Sequence, residues 1–333
     1  MRISIIIPVY NGEKTIKLCL DGVLSSSHIG WNFEVIVVDD HSRDRTADII
    51  KEYPIRIVRM EKTSGTAHAR NTGARIAQGD ILVFIDADIR IGPDTLARIH
   101  HAFEVDPALS ALTGLLAKQC PFTNFFSQYK NLYMHYVFSR CQSDVDFLFG
   151  SVIALRRSDF IPFDETYAIT DDTELGQRYR RKARTLRLDP QLEVEHMKSY
   201  SARSFLKNDF FVPFWWARTF LRHGGIRSIW CKRRFAHARG DQLASIWVVY
   251  LVWVTIFSRW LFGLAFFIVL YIILNAHFWA YLNRERGLGF CFRAIPVTFL
   301  DQFVMGMGIL LGLLVFSAKS LKQKFTKIKV HHG

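Results

Sequence analysis

Cysteine is scarce and follows no pairing pattern. The 333 residues hold five, Cys19, Cys120, Cys141, Cys231 and Cys291. An odd number without a Cys-x-x-Cys speaks against a disulfide framework and against a zinc site, so reduced, mostly packed thiols facing the cytosol are expected. Two glycine signatures are also missing. No Gly-Lys-Ser/Thr follows a glycine loop and no Gly-x-Gly-x-x-Gly occurs, which leaves a P-loop and a dinucleotide fingerprint unsupported. The N-terminus, MRISIIIPVYNG, lacks the form of a signal peptide. Its apolar run, Ile3 to Ile7, ends at Pro8 and a turn, with no small-residue cleavage site. The N-terminal part is therefore expected to stay where it is made.

Acidic residues are nearly absent from the last 133 positions. Residues 1–120 and 121–200 are close to neutral, whereas 201–243 and 244–333 each hold nine Lys and Arg against two Asp and Glu. The whole net charge of +13 therefore lies in the C-terminal part. A basic nucleic-acid-binding domain would carry that charge on its folded N-terminal part, and this chain does not. Half the residues are apolar and 22% are charged, which excludes disorder, collagen and low complexity. The length suggests roughly two structural units.

The same C-terminal region holds long apolar runs. Between Gln242 and Leu282 the one full charge is Arg259. As a single helix this stretch would reach roughly 60 Å, so two crossings joined near Ser258-Arg259 fit a bilayer better. A third run, Ala294 to Ala318, carries only Asp301. Membrane helices are expected at about 242–258, 260–282 and 295–317, with a basic tail at 319–333. Residues 201–241 mix aromatics (Phe205, Phe210, Phe211, Phe214, Trp215, Trp216, Phe220, Trp230) with Lys and Arg, the composition of helices lying among headgroups or linking the parts. Pro213 is expected to kink them. Topology stays open between three crossings and two plus a half. Arg284, Arg286 and Arg293 flank one side of the last run and Lys319, Lys322, Lys324, Lys327 and Lys329 the other. The positive-inside tendency wants both sides cytoplasmic.

Residues 1–120 alternate short β-branched runs with helical periodicity. Ile3–Pro8, Glu34–Asp39, Ile55–Val58 and Ile81–Ile85 read as buried parallel strands. Glu13–Ser25 places Ile16, Cys19, Leu20, Val23 and Leu24 on one helix face. Ser42 or Asp44 can cap a helix through Tyr53, and Gly92-Pro93 opens another through Phe103. Such alternation predicts an α/β sheet whose ligands sit beyond the carboxyl ends of its strands. Those ends are acidic: Asp39-Asp40 after the second strand, Asp86-Ala87-Asp88 after the fourth, and Thr170-Asp171-Asp172 further on. If the fourth strand continues, Asp86 and Asp88 share a face and can address one hard cation, Mg²⁺ or Mn²⁺. A solvated, helix-capping strand end is the plainer alternative. Asp39 or Asp40 can accept from a base or ribose, or merely cap. Arg70, within SGTAHARNTG, suits diphosphate oxygens, with Gly65 and Gly73 permitting close backbone approach.

The ordered series PVYNGEKTI, VIVVDDHSRDRTADII, SGTAHARNTGARIAQGDILVFIDAD, FGSVIALRRSDFIPFDE and TDDTELGQRYRRKA resembles the family-2 glycosyltransferases with a GT-A fold, over residues 1–200. The C-terminal apolar segments resemble the membrane-bound branch that acts on lipid or lipid-linked acceptors. The resemblance implies a mixed, Rossmann-like sheet and a nucleotide-sugar donor, UDP-sugar favoured, with a Mn²⁺ or Mg²⁺ cofactor. It implies that Pro8, Tyr10, Glu13, Asp39 and Asp40 frame the base and ribose. Arg70 approaches the diphosphate, Asp86 sits near the ribose or metal, and Asp88 is the direct metal ligand. Thr170-Asp171-Asp172 matches the block whose last Asp is the general base, with Asp171 where a Glu is more usual. Arg178 matches a basic position of the same helix. His196 lies where some relatives offer a third metal ligand; a satisfied surface or core histidine is the plainer reading. Two alternatives stand beside this one. In a processive polymer synthase a Gln-x-x-Arg-Trp would be expected, but the chain has Trp215-Trp216-Ala217-Arg218. A non-catalytic nucleotide-sugar-binding protein would not need Asp86, Asp88 and Asp172 intact.

Overall fold

The computed structural model describes residues 1–26, 32–224 and 240–331. It divides into two compact units, Met1–Ser199 and Tyr200–Gly333. The first unit is an α/β domain around one eight-stranded sheet. In chain order the strands are β1 (Ile3–Val9), β2 (Phe33–Asp39), β3 (Arg56–Arg59), β4 (Ile81–Ile85), β5 (Ile89–Ile91), β6 (Leu109–Leu116), β7 (Val152–Arg156) and β8 (Thr185–His196). Their spatial order is β3-β2-β1-β4-β7-β6-β8-β5. β3, β2, β1 and β4 run parallel, as continuous burial on both faces of β1 and β4 requires. β7 then runs antiparallel to both β4 and β6, so the sheet is mixed. β6 and β8 pair in parallel, and β5 pairs antiparallel with the end of β8.

Among the described residues the α-helices of this unit are α1 (Ile16–Leu24), α2 (Thr46–Ile50), α3 (Thr66–Ile76), α4 (Thr95–Val105), α5 (Phe125–Ser139) and α6 (Asp171–Arg181). α1 buries Ile16, Cys19, Leu20 and Val23, the face its spacing predicts. α2 stops at Ile50, short of the Tyr53 that its pattern suggests, because the Glu52 and Tyr53 N–H groups turn back to the Ile49 and Ile50 carbonyls and the helix tightens into turns. α3 approaches β1 closely at Gly73, where a Cβ would collide with Ile6. The same glycine lies close to Val38, so α3 packs against β1 and β2. No disulfide joins the described Cys19, Cys120, Cys141 and Cys291; Cys231 lies outside the described residues.

The second unit is helical: α7 (Ala202–Arg222), α8 (Gly240–Phe257), α9 (Leu261–Arg286) and α10 (Leu288–His331). α7 opens with a capping box in which Ser201 and Ser204 satisfy each other's backbone, and it contains Pro213. Trp230 and the other aromatic and basic residues of 225–239 lie outside the described residues. Leu261–Arg286 and Leu288–Ala318 are long and apolar enough to cross a membrane by length and composition. The apolar part of α8, Leu243–Phe257, is shorter than a crossing needs. The segment expected at 295–317 is the middle of one unbroken helix, so Gly306, Gly308 and Gly312 mark no break in it. Ser245, Asn275 and Gln302 close a buried ring of hydrogen bonds, each 2.7–2.8 Å, that ties α8, α9 and α10 together.

Candidate active site

The strand ends that carry the acidic motifs come together at one edge of the first unit's sheet. β1 and β2 lie side by side in register, so Val9 faces Asp39 and the Asp40 N–H donates to the Val9 carbonyl (2.8 Å). Asp39 is fully buried, accepts from the Ser42 N–H (2.9 Å) and lies 3.6 Å from Arg59 Nε. Both Asp40 oxygens accept backbone N–H groups, from Ser64 (2.8 Å) and Gly65 (2.9 Å), which fixes the loop leading into α3. Gly65 has φ +94°, a value that favours glycine at this turn. Pro8 is buried within β1, while Tyr10 stands about half exposed just beyond it. Glu13 is exposed, and its Oε2 accepts from the Arg45 N–H (3.2 Å), joining the β1 and β2 loops.

Arg70, on the first turns of α3, is the hub of the acidic cluster. Its Nη1 donates to Asp171 Oδ2 and its Nη2 to Asp86 Oδ1, each at 2.6 Å, and its guanidinium lies over the Phe163 ring at 5.2 Å. Burial works to neutralise this guanidinium, but Asp171, Asp86 and Asp172 hold it protonated far above its ordinary value. One buried cation thus faces three carboxylates. Burial raises the Asp86 carboxyl, Arg70 opposes the rise and Asp88 adds to it.

Asp172 stands in the first turn of α6. Its Oδ2 accepts from the Gly150 N–H (2.6 Å) and its Oδ1 from the Thr173 N–H (2.6 Å). A Cβ at Gly150 would sit 3.1 Å from both Arg70 Nη2 and Asp172 Oδ2, so the smallest residue permits this approach. Burial and the neighbouring Asp171 charge push the Asp172 carboxyl up to about 6, against the pull of Arg70. The residue before the pair, Thr170, is buried at φ +68°, left-handed backbone that a β-branched side chain rarely adopts. Such strain gathers at functional sites.

The Asp86-Ala87-Asp88 segment corrects one sequence expectation. It does not continue β4 as extended strand. It forms a turn, in which the Ile89 N–H donates to the Asp86 carbonyl (3.0 Å), before β5 begins. The two carboxylates diverge: Asp86 goes to Arg70, and Asp88 Oδ2 lies 3.2 Å from His196 Nε2. His196 arrives because it pairs with Ile89 in the β5–β8 register. Burial works upward on Asp88, but the His196 hydrogen bond and charge and the Lys198 charge hold its carboxyl below the usual range. Among the described residues, no three His, Cys, Asp or Glu side chains are already gathered for a metal ion. The donor chemistry nevertheless fits a hard divalent cation. Asp88 favours the carboxylate form, His196 is beside it, and the cluster has more carboxylates than cations.

Arg178 lies apart from this cluster, pairing with the buried Glu174 one turn earlier (2.8 Å). Sequence reasoning passed over Asn71 and Glu165. Asn71 Oδ1 accepts from the Phe163 N–H (2.8 Å), and its Nδ2 donates to the Phe163 carbonyl and to Glu165 Oε1, both at 2.9 Å. His68 Nδ1 lies 2.8 Å from Glu165 Oε2. α3 thereby clamps the turn at 163–165 beside Arg70. The position of Asn71 next to Arg70 was the available signal, but its partner is 92 residues away in sequence.

A mixed sheet with an acidic edge defines a GT-A-like α/β domain, and comparisons with known proteins agree. Residues 4–162, all within the first unit, match the family model for Glycosyl transferase family 2. The chain is similar to a poly(ribitol-phosphate) beta-glucosyltransferase of Bacillus spizizenii, 34% identical over 134 residues, which is 38% of this chain and 21% of that protein. It is similar also to a dolichol-phosphate mannosyltransferase of Pyrococcus furiosus, 32% identical over 108 residues, 31% of this chain and 30% of that protein. The matched part thus spans less than a third of the length of either relative. Among solved structures, the mannosyltransferase PcManGT of Pyrobaculum calidifontis, in complex with GDP-Man and Mn²⁺, shares the fold. Its TM-score is 0.56 at 19% identity, over 97% of this chain and 88% of that one.

Proposed function

We propose that the chain is a membrane-anchored, metal-dependent, inverting glycosyltransferase. It takes a sugar from a nucleotide-diphosphate donor, a UDP-sugar before a GDP-sugar, and gives it to a lipid or lipid-linked acceptor of an envelope glycan or glycolipid. The catalytic unit faces the cytosol at the cytoplasmic membrane. The observation that carries this reading is the Asp172 carboxylate, held by the Gly150 N–H and raised to about 6, beside the Arg70–Asp86–Asp171 cluster. A base tuned near the working pH suits removal of a proton from an acceptor hydroxyl. Were the acceptor a lipid phosphate, already ionised, Asp172 would orient it instead.

The other residues follow from their chemistry. Arg70 is kept positive at the helix start and suits the donor's diphosphate. Pro8, Tyr10, Glu13, Asp39 and Asp40 form the loop edge that would receive base and ribose. Asp40 does so through the Ser64–Gly65 loop that it holds. Arg178, paired to Glu174, would act by steadying α6. Asp88, with His196 beside it, would hold Mn²⁺ or Mg²⁺, which when bound neutralises charge on the departing diphosphate, while Asp86 is engaged by Arg70. The two named relatives, one acting on poly(ribitol-phosphate) and one on dolichol phosphate, support a polymer or lipid-linked acceptor. Mn²⁺ in the PcManGT complex supports the cation.

The test is nucleotide release by detergent-purified full-length protein across UDP-, GDP- and other nucleotide sugars, with and without Mn²⁺ or Mg²⁺ and extracted membrane lipid. Lipid-stimulated, cation-dependent release from one donor is expected. Intact nucleotide binding with no release from any donor would instead favour a nucleotide-sugar-binding protein.

A further inference from the structure

The helices of the second unit fix one another's heights, and those heights decide how the unit can meet a bilayer. α9 and α10 run antiparallel: Trp279 Nε1 donates to Thr298 Oγ1 (3.2 Å), and Gln302 Nε2 donates to Asn275 Oδ1 (2.8 Å). α7 runs alongside the later part of α10 in the same direction. Gly308 admits the Phe210 carbonyl and Gly312 the Phe214 carbonyl, each glycine leaving no room for a Cβ. Phe316 continues the contact, with ring centroids 5.1 Å from Phe214 and 5.7 Å from Trp215. Both glycine pairs are offset by 98 residues (308 − 210 and 312 − 214). On that offset Arg203 stands level with position 301 and Lys207 with position 305, on either side of the middle of the apolar stretch Leu288–Ala318.

Arg203 and Lys207 are both exposed, and α7 begins only a few residues after the catalytic unit ends at Ser199. Were Leu288–Ala318 to cross a bilayer, two exposed cations would face lipid near the midplane, where charge is strongly disfavoured. The first residues of α7 would be drawn to that depth as well. The ends of the stretch raise the same objection. Arg284, Arg286 and Arg293 are exposed at one end, and Arg222 on α7 with the lysines from Lys319 onward mark the other. Cations at both ends favour the same, cytoplasmic side. On α9 and α10 the exposed apolar side chains form stripes and do not encircle the helix. Phe262, Phe266 and Val269 line one face of α9, and Phe292, Met307 and Leu314 line one face of α10.

Resting on the reading that this unit meets a membrane, we propose that it is monotopic. The helices lie in one leaflet with their axes close to the membrane plane. The α9 and α10 stripes rest in the acyl chains of that leaflet, and every charged end stays on the side of the catalytic unit. α10 then crosses nothing, although its length and composition would allow it.

The experiment labels sealed inside-out and right-side-out vesicles, carrying the full chain, with a membrane-impermeant maleimide. Glu52→Cys marks the catalytic unit, Arg259→Cys the turn between α8 and α9, and Lys322→Cys the tail. The wild-type chain, with its five cysteines, sets the background. All three variants are expected to label in the same vesicles and to stay unlabelled in the opposite ones. Labelling of Lys322→Cys or Arg259→Cys only from the side opposite Glu52→Cys would overturn the proposal while leaving membrane attachment intact. Recovery of the whole chain in the soluble fraction without detergent would overturn both that attachment and the proposal. Where a variant fails to accumulate, a C-terminal protease-cleavable tag on the unaltered chain asks the same question: cleavage from the catalytic side supports one leaflet, and cleavage only from the far side refutes it.

Discussion

Two buried polar clusters, one in each unit, are built in opposite ways. In the second unit, Ser245, Asn275 and Gln302 are neutral and complete one another's hydrogen bonds. In the first, Arg70 is buried with Asp171 and Asp86 and close to Asp172, an excess of negative charge that no hydrogen bond removes. A closed neutral ring sets the register of helices and asks for no further partner. Burial within an unbalanced charged cluster raises the Asp86 and Asp172 carboxyls, while the carboxylates hold a cation charged, a condition that gathers at reactive sites. Substitutions should therefore separate cleanly: chemistry is lost from the first cluster and stability from the second.

The largest effect is expected at the base. Asp172→Asn keeps nucleotide binding but lowers transfer by about a hundred- to ten-thousand-fold, the usual contribution of general-base catalysis. Titration calorimetry beside a turnover assay checks it; weakened donor binding with normal turnover would move the base elsewhere. Asp88→Ala should abolish activity together with its response to Mn²⁺ or Mg²⁺. A variant still stimulated by the cation would remove Asp88 from the metal site.

Asn71→Ala should lower kcat by up to about a hundredfold with little change in KM for the donor, because it loosens the turn at 163–165 and misplaces the cluster by a fraction of an ångström. An unchanged kcat would show that the clamp is only structural. The pH profile tests the same cluster. With Asp172 as the proposed base, transfer to a hydroxyl acceptor would require it ionised, and its carboxyl sits at about 6. Activity is therefore full above that pH and falls about tenfold per unit below it. An acid limb near the ordinary carboxylate value, about 4, would mean that burial does not govern this group. The smallest effect belongs to the neutral ring. Asn275→Leu should destabilise the helical unit by about 1–3 kcal/mol, seen as earlier unfolding in detergent, with donor binding unchanged. A loss of donor binding would break the contrast between the units.

Much of the first unit is legible because its signals are local. Ile3–Pro8 and Ile81–Ile85 read as buried parallel strands from their unbroken apolar runs, and α1 reads from the i, i+3, i+4, i+7 spacing of Ile16, Cys19, Leu20 and Val23. The acidic strand ends are legible too, since an α/β sheet places its ligands there. The pairing of those acids is not. Asp86 and Asp88 looked alike along the chain, yet α3 claims one and β8 the other. The Gly150 N–H on Asp172 and the Asn71 clamp on Phe163 span 22 and 92 residues, and no periodicity encodes such distances.

The C-terminal region divides the same way. Composition alone determined that it is basic, aromatic and apolar, since those are counts along the chain. Height is not a count. That exposed Lys207 stands beside the middle of a 31-residue apolar stretch follows only from Gly308 and Gly312 admitting α7. Sequence thus determined which residue types are present and which short segments fold. Tertiary structure decided which carboxylate meets which cation, and at what level each charge stands. Electrostatic and solvation energies depend on distances in space, and the chain order does not set those distances.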